Sequence, residues 1–167
     1  MANKIIMRSG NYGIYKVDGL EYACGKLETS KVKLISKNPE KIKEGFTEHK
    51  FRNWKNEEES SYHKLVSLND LEDIYRVKYY MIVNGKERRI SGYNEKEFIT
   101  YSEKEEEEFK TYREDIVTWL VYVPISKIEK FVELKEHIGL YDYRGEERKE
   151  LPNTKETIEY ILTTFPN

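Results

Sequence analysis

The chain is 167 residues long, enough to bury a core as one domain or as two very small ones. It is 38% hydrophobic and 36% charged, with 14 Tyr, so its core must lean on aromatic and β-branched side chains, which favours strands over helices. Its 29 basic and 31 acidic residues leave a formal net charge of -2, which argues against the net basic field of a dedicated nucleic-acid binder.

Cys24 is the only cysteine. No intramolecular disulfide can form, and a reducing compartment is expected. Residues 1–8 lack a signal-peptide core, and no apolar run approaches the roughly 20 residues of a membrane span. The sequence is therefore expected to belong to a cytoplasmic protein with no membrane contact.

A weak internal repeat organises the rest. The first half opens with Tyr12 to Tyr22 around Asp18-Gly19, and the second with Tyr79 to Ile90 around Asn84-Gly85. Asp-Gly and Asn-Gly between alternating apolar residues predict hairpins with type I′ turns, whose two central residues both need φ > 0. Each half closes on a matching segment: Leu68, Leu71 and Ile74 align with Ile125, Ile128 and Phe131 at a constant offset. Asn69 and Ser126 read as helix N-caps there, with Glu72 and Glu129 completing capping boxes.

The first half is nine residues longer, by comparison of the Gly19–Gly85 spacing of 66 with the Leu68–Ile125 spacing of 57. The excess is assigned to residues 38–45 and to the polar run 53–61. A third, truncated hairpin is expected around Arg144-Gly145. After Pro152, Thr154 caps a final helix with Ile158, Ile161 and Leu162 on its apolar face.

Strand, hairpin, strand, single helical turn and closing strand is the order of an SH3-like small barrel, and Val123 to Val132 resembles the end of one. The expected fold is thus β-rich α+β: two degenerate SH3-like repeats with short helices and a C-terminal helix. Residues 1–78 form the first repeat, 79–135 the second, and 136–167 a partial hairpin plus helix, within one compact body.

Chemistry-bearing patterns are scarce. His49, His63 and His137 have no metal-ligand spacing, no glycine-rich phosphate loop is present, and Ser60-Ser61 sits in no nucleophile elbow. Cys24 falls in an expected strand, where a buried inert thiol is the ordinary outcome. No catalytic residue, metal or cofactor is therefore expected. What remains are two acidic runs, Glu57, Glu58, Glu59 and Glu105, Glu106, Glu107, Glu108, which the repeat places in corresponding connections. They are flanked by Trp54 and Tyr112, giving the carboxylates and aromatic anchors of a partner-binding surface, unless the runs are simply solvated loops.

Small, acidic, single-cysteine proteins with Tyr-rich hairpins and Lys/Glu surfaces resemble the immunity proteins of bacterial polymorphic or contact-dependent toxin systems. The resemblance implies neutralisation of a toxin domain, such as a nuclease, whose basic surface meets the carboxylates. A phage- or plasmid-encoded inhibitor of a host nuclease or defence protein would use the same surface. A peptide-binding SH3-like adaptor would use an aromatic trough without the acidic rim.

Overall fold

The computed structural model describes residues 7–25, 30–53, 55–138 and 143–167, and of residues 143 and 144 the backbone alone. The fold is β-rich, with thirteen strands, three short 3₁₀ segments and one α-helix among the described residues. It divides into two compact units. The first unit is Gly10–Val77 with Glu136–Glu146 and Phe165–Asn167; the second is Lys78–Lys135 with Glu147–Thr164 and the described residues up to Ser9. No helix among the described residues is long and apolar enough to cross a membrane.

The first unit holds β1 (Gly10–Tyr15), β2 (Glu21–Cys24), β3 (Lys31–Ser36), a 3₁₀ segment (Pro39–Glu44), β4 (Thr47–Arg52), β5 (Glu58–Ser67), a 3₁₀ turn (Leu68–Asp70) and the first part of β6 (Leu71–Val83). Its strand order is β6-β1-β2-β3-β5-β4. The core is aromatic, as the composition requires: Tyr22 packs on Phe46 at 5.6 Å and edge-on to Tyr15 at 6.3 Å between ring centres. Val32, Leu34, Tyr62, Val66, Leu71 and Ile74 complete it.

The second unit continues β6 into β7 (Lys86–Arg89), β8 (Gly92–Tyr93), β9 (Glu97–Ser102), β10 (Lys110–Arg113), β11 (Trp119–Pro124), a 3₁₀ turn (Ile125–Lys127), the larger parts of β12 (Lys130–Ile138) and β13 (Tyr143–Pro152), and α1 (Lys155–Leu162). The strands run β13-β12-β6 with β7 on β6, and separately β10-β11-β9-β8. Phe98 anchors the core, 4.7 Å from the Tyr93 ring centre and 5.0 Å from that of Phe131. Thr154 caps α1 by accepting from the Thr157 amide at 3.2 Å, and Ile161 is fully buried. The Arg8 amide donates to the Ile161 carbonyl at 2.7 Å.

The two units repeat one pairing scheme residue by residue. In β3 and β5 the ladder runs from Lys31 opposite Ser67 to Ser36 opposite Tyr62; in β9 and β11 it runs from Glu97 opposite Pro124 to Ser102 opposite Trp119. Every pair is carried into its counterpart by the spacings of 66 and 57 already visible in the sequence. In each unit the strand then enters a 3₁₀ turn, and the next strand's first apolar residue caps it: the Leu71 amide donates to Leu68, and the Ile128 amide donates to Ile125 at 3.1 Å. Both Leu71 and Ile128 are buried.

Three details differ from the sequence expectations. The Asn84-Gly85 turn has both residues at positive φ, 51° and 72°, as type I′ demands. At Asp18-Gly19 only Gly19 does (φ 69°), because the loop is longer: the Tyr15 amide reaches the Leu20 carbonyl and Asp18 accepts the Leu20 amide at 2.9 Å. The cap of the first 3₁₀ turn is Ser67 with Asp70 in a capping box, not Asn69 with Glu72, and Pro124 precedes the second without a side-chain cap. Arg144-Gly145 lies inside β13 rather than at a hairpin turn, and residues 139–142 before it are outside the described residues.

The nine extra residues divide between the two segments expected. Glu48 faces Tyr62 in β4–β5 as Arg113 faces Trp119 in β10–β11, a spacing of 65 against 57. One extra residue therefore lies before β4 and eight lie between β4 and β5.

The repeat makes a quantitative expectation. Leu71→Ala and Ile128→Ala remove the same buried side chain from equivalent turns, and each should cost about 2–5 kcal/mol, the usual range for such a truncation in a core. Urea unfolding of the two variants checks it; a large loss in only one would mean the turns are not equivalent in packing.

Candidate functional site

On the β9–β11–β10 sheet of the second unit several apolar side chains reach solvent. Cross-strand pairing puts Tyr101 opposite Leu120 and Leu120 opposite Tyr112, so these three form a row on one face. The neighbouring rows on the other face, Thr100 with Val121 and Phe98 with Val123, are buried. Tyr101 and Tyr112 are 47% and 53% exposed, whereas Ile99 and Tyr122, one step along the same face, are buried, so the apolar row reaches solvent only at its end.

At the end of that row the β10–β11 loop presents Ile116 and Val117, 84% and 67% exposed. Its backbone is firmly tied. Asp115 accepts the Val117 and Thr118 amides, each at 2.8 Å, and the Arg113 guanidinium donates to the Asp115 and Ile116 carbonyls at 3.1 and 2.9 Å. Those amide bonds hold the Asp115 carboxyl below its ordinary range. A loop fixed by its own polar groups leaves its apolar side chains no interior to enter, so they stand in water by construction.

Ile116 and Val117 border a hollow of about 650 Å³ with Tyr101, Ser102, Glu103 and Thr118. Glu103 opens the acidic β9–β10 connection, so that connection adjoins the apolar end. Within it the carboxylates differ. Glu106 is a bidentate acceptor of Arg88, which lowers its carboxyl pKa, and Glu108 accepts the Asn84 amide nitrogen at 2.9 Å. Glu105 and Glu107 are exposed and make no ion pair among the described residues. Of this connection, Glu103 is the carboxylate that borders the hollow beside Ile116 and Val117.

The other acidic run lies in the first unit, at the start of β5. Glu57 and Glu59 accept from the Asn53 side chain at 3.2 and 3.0 Å, Glu58 is 3.9 Å from Lys50, and Glu59 is 3.9 Å from Lys37. Trp54 lies outside the described residues. The expectation that the two runs occupy corresponding connections is corrected by the pairing: residues 57–59 follow β4, in the eight-residue insertion, whereas 105–108 precede β10. The counterpart of 105–108 is the 3₁₀ segment Pro39–Glu44. The counterpart of the β4–β5 hairpin is the apolar loop 114–118.

The histidines hold a feature the sequence reading missed. The rings of His49 and His63 stack at 4.2 Å, because β4 and β5 pair His49 opposite Ser61, one diagonal step from His63. His63 also shares a 2.8 Å hydrogen bond with the Ser61 hydroxyl. The register that joins the two rings depends on the length of the β4–β5 loop, which the sequence pattern does not show. Among the described residues no group of three or more His, Cys, Asp or Glu is placed to hold a metal. Burial, then the charge of Glu21, pushes the Cys24 thiol up to about 12, leaving it protonated and unreactive at neutral pH.

Burial and the neighbouring His49, Lys33 and Lys37 lower the His63 pKa from its ordinary 6.5. The unfolded chain then binds a proton at this position that the folded one does not, so stability falls as pH drops below 6.5 and levels off below the folded value. Comparing urea midpoints of the native protein and His63→Gln across this range should show a steeper acid loss in the native protein; parallel curves would assign the acid sensitivity elsewhere.

No curated protein matches the chain, and neither does any solved structure. A family model described as "Uncharacterised conserved protein UCP033725" matches residues 7–139, which spans both 3₁₀ turns and the whole repeated pairing scheme, and the chain belongs to that family.

Proposed function

We propose that the protein acts by binding another protein through the exposed end of β9, β10 and β11, and that it is a non-catalytic immunity protein working in the cytoplasm. The observation that carries this is the solvent-facing set Tyr101, Tyr112, Ile116 and Val117 on a backbone that cannot retract them. Contiguous exposed apolar residues rimmed by charge mark interaction sites, and aromatic anchors inside a polar rim carry most of the affinity of an interface. The rim is acidic here: Glu103, Glu105 and Glu107 on one side and Glu114 on the other. It suits a toxin domain with a basic surface, the rim charges speeding encounter and the apolar centre slowing release.

The first acidic run, Glu57 to Glu59 with Trp54, is proposed as a secondary charge contact only, since its carboxylates already have nearby partners. We also infer that the repeated unit is a degenerate SH3-like half-barrel. The 3₁₀ turn before the closing strand supports that reading. The placement of β5 between β3 and β4 sets it apart from a simple meander.

The test is growth rescue. A toxin domain encoded beside this gene should arrest cells, co-expression of the native chain should restore growth, and Ile116→Asp with Val117→Asp should abolish rescue while leaving thermal stability unchanged, because both side chains are exposed. Failure of the native chain to rescue would remove the immunity reading; full rescue by the double variant would move the interface off this face.

A further inference from the structure

The two units differ at one ladder. In the first, β2 pairs β3 through Ala23 opposite Ile35 and Cys24 opposite Leu34, and the Gly25 amide donates to the Lys33 carbonyl at 2.8 Å. In the second, the bond between counterparts survives, Ser91 amide to Ile99 carbonyl at 2.7 Å, but β7 and β9 form no ladder. The Arg89 carbonyl instead accepts the Thr100 hydroxyl at 2.6 Å. Where these strands part, a cleft of about 840 Å³ opens, within the size range of small-molecule sites.

The residues around it have changed in character with the ladder. Positions held in the first unit by Tyr22, Ala23 and Leu34 are held in the second by Arg88, Arg89 and Thr100. Tyr22, Ala23 and Leu34 are buried; their counterparts line the cleft. Lys78, Lys86 and Lys104 line it as well, with the hydroxyls of Ser91 and Ser102. Its two carboxylates are already engaged, Glu87 by Arg148 and Glu106 by Arg88. Lys86, Arg89 and Lys104 make no ion pair among the described residues. A protein of net charge -2 thus gathers three cations outside any described ion pair in one concave place.

We propose that this cleft binds a small phosphorylated ligand carrying two or more negative charges. Arg89 supplies a planar fork for phosphoryl oxygens, and Lys86 and Lys104 supply point charges. Dicarboxylates offer fewer and differently spaced oxygens, and a single carboxylate leaves most of the charge unmet.

Titration calorimetry with pyrophosphate, and separately with ATP, tests it on the full chain. Saturable binding of either supports the site; tighter binding of ATP assigns a nucleotide, and equal binding assigns the phosphate chain alone. Arg89→Gln with Lys104→Gln should weaken that binding roughly tenfold or more, the scale of losing charge-assisted contacts, whereas Lys127→Gln with Lys149→Gln should leave it unchanged. Thermal unfolding confirms that both double variants fold. The proposal is overturned by no binding at millimolar probe, by equal loss in the two double variants, by malonate binding as tightly as pyrophosphate, or by an oligonucleotide binding with affinity that rises with its length.

Discussion

The register of the central ladder is the constraint on which the rest depends. Side chains alternate across a strand, so a slip of one residue in β9–β11 would exchange the face that carries Phe98, Thr100 and Val121 for the one that carries Tyr101, Leu120 and Tyr112. The 3₁₀ turns fix that register from one end. Leu71 and Ile128 each bury a side chain directly after the turn and return an amide to its first residue, so the turn cannot shift along the chain without exposing an apolar group and losing a hydrogen bond. Both the exposed aromatic row and the cationic cleft inherit their positions from this pin.

Duplication then explains how one architecture carries unlike surfaces. The first unit keeps β2 on β3 and fills the region with Tyr22, Leu34 and Phe46. The second places arginines and a threonine where those ladders would close, and its side-chain bond from Thr100 to Arg89 substitutes for a backbone one. The long β4–β5 hairpin of the first unit is replaced in the second by the short loop 114–118, which leaves Ile116 and Val117 at its tip. Each difference is a local change tolerated because the shared ladder and turn hold the rest.

Much of this was legible from residues. The spacings of 66 and 57 residues named pairs that the ladders contain, Asn84-Gly85 announced its turn, and Thr154 announced α1. What was not legible depended on loop lengths and on competition among polar groups. Ser67 outcompetes Asn69 as a cap because it lies before the turn with Asp70 three residues on. The eight extra residues fall after β4, which only strand pairing reveals, and this separates the two acidic runs into unlike connections. The cleft could have been found by setting Arg88, Arg89 and Thr100 against Tyr22, Ala23 and Leu34 once the spacing of 66 was known, since charge replacing core side chains in one copy of a repeat has no packing rationale. The exposed row carried a weaker signal, because Tyr101 and Tyr112 look like core aromatics until the faces of their strands are assigned.

Residue-resolved amide hydrogen exchange measures the difference between the units most directly, because it reads each ladder bond separately. The account predicts strong protection at Ala23, which sits in the β2–β3 ladder, and at Val121 inside the shared β9–β11 sheet, with much faster exchange at Arg89, the counterpart of Ala23 where β7 and β9 part. Equal protection at Ala23 and Arg89 would mean that the second unit closes like the first, and the cleft would not exist.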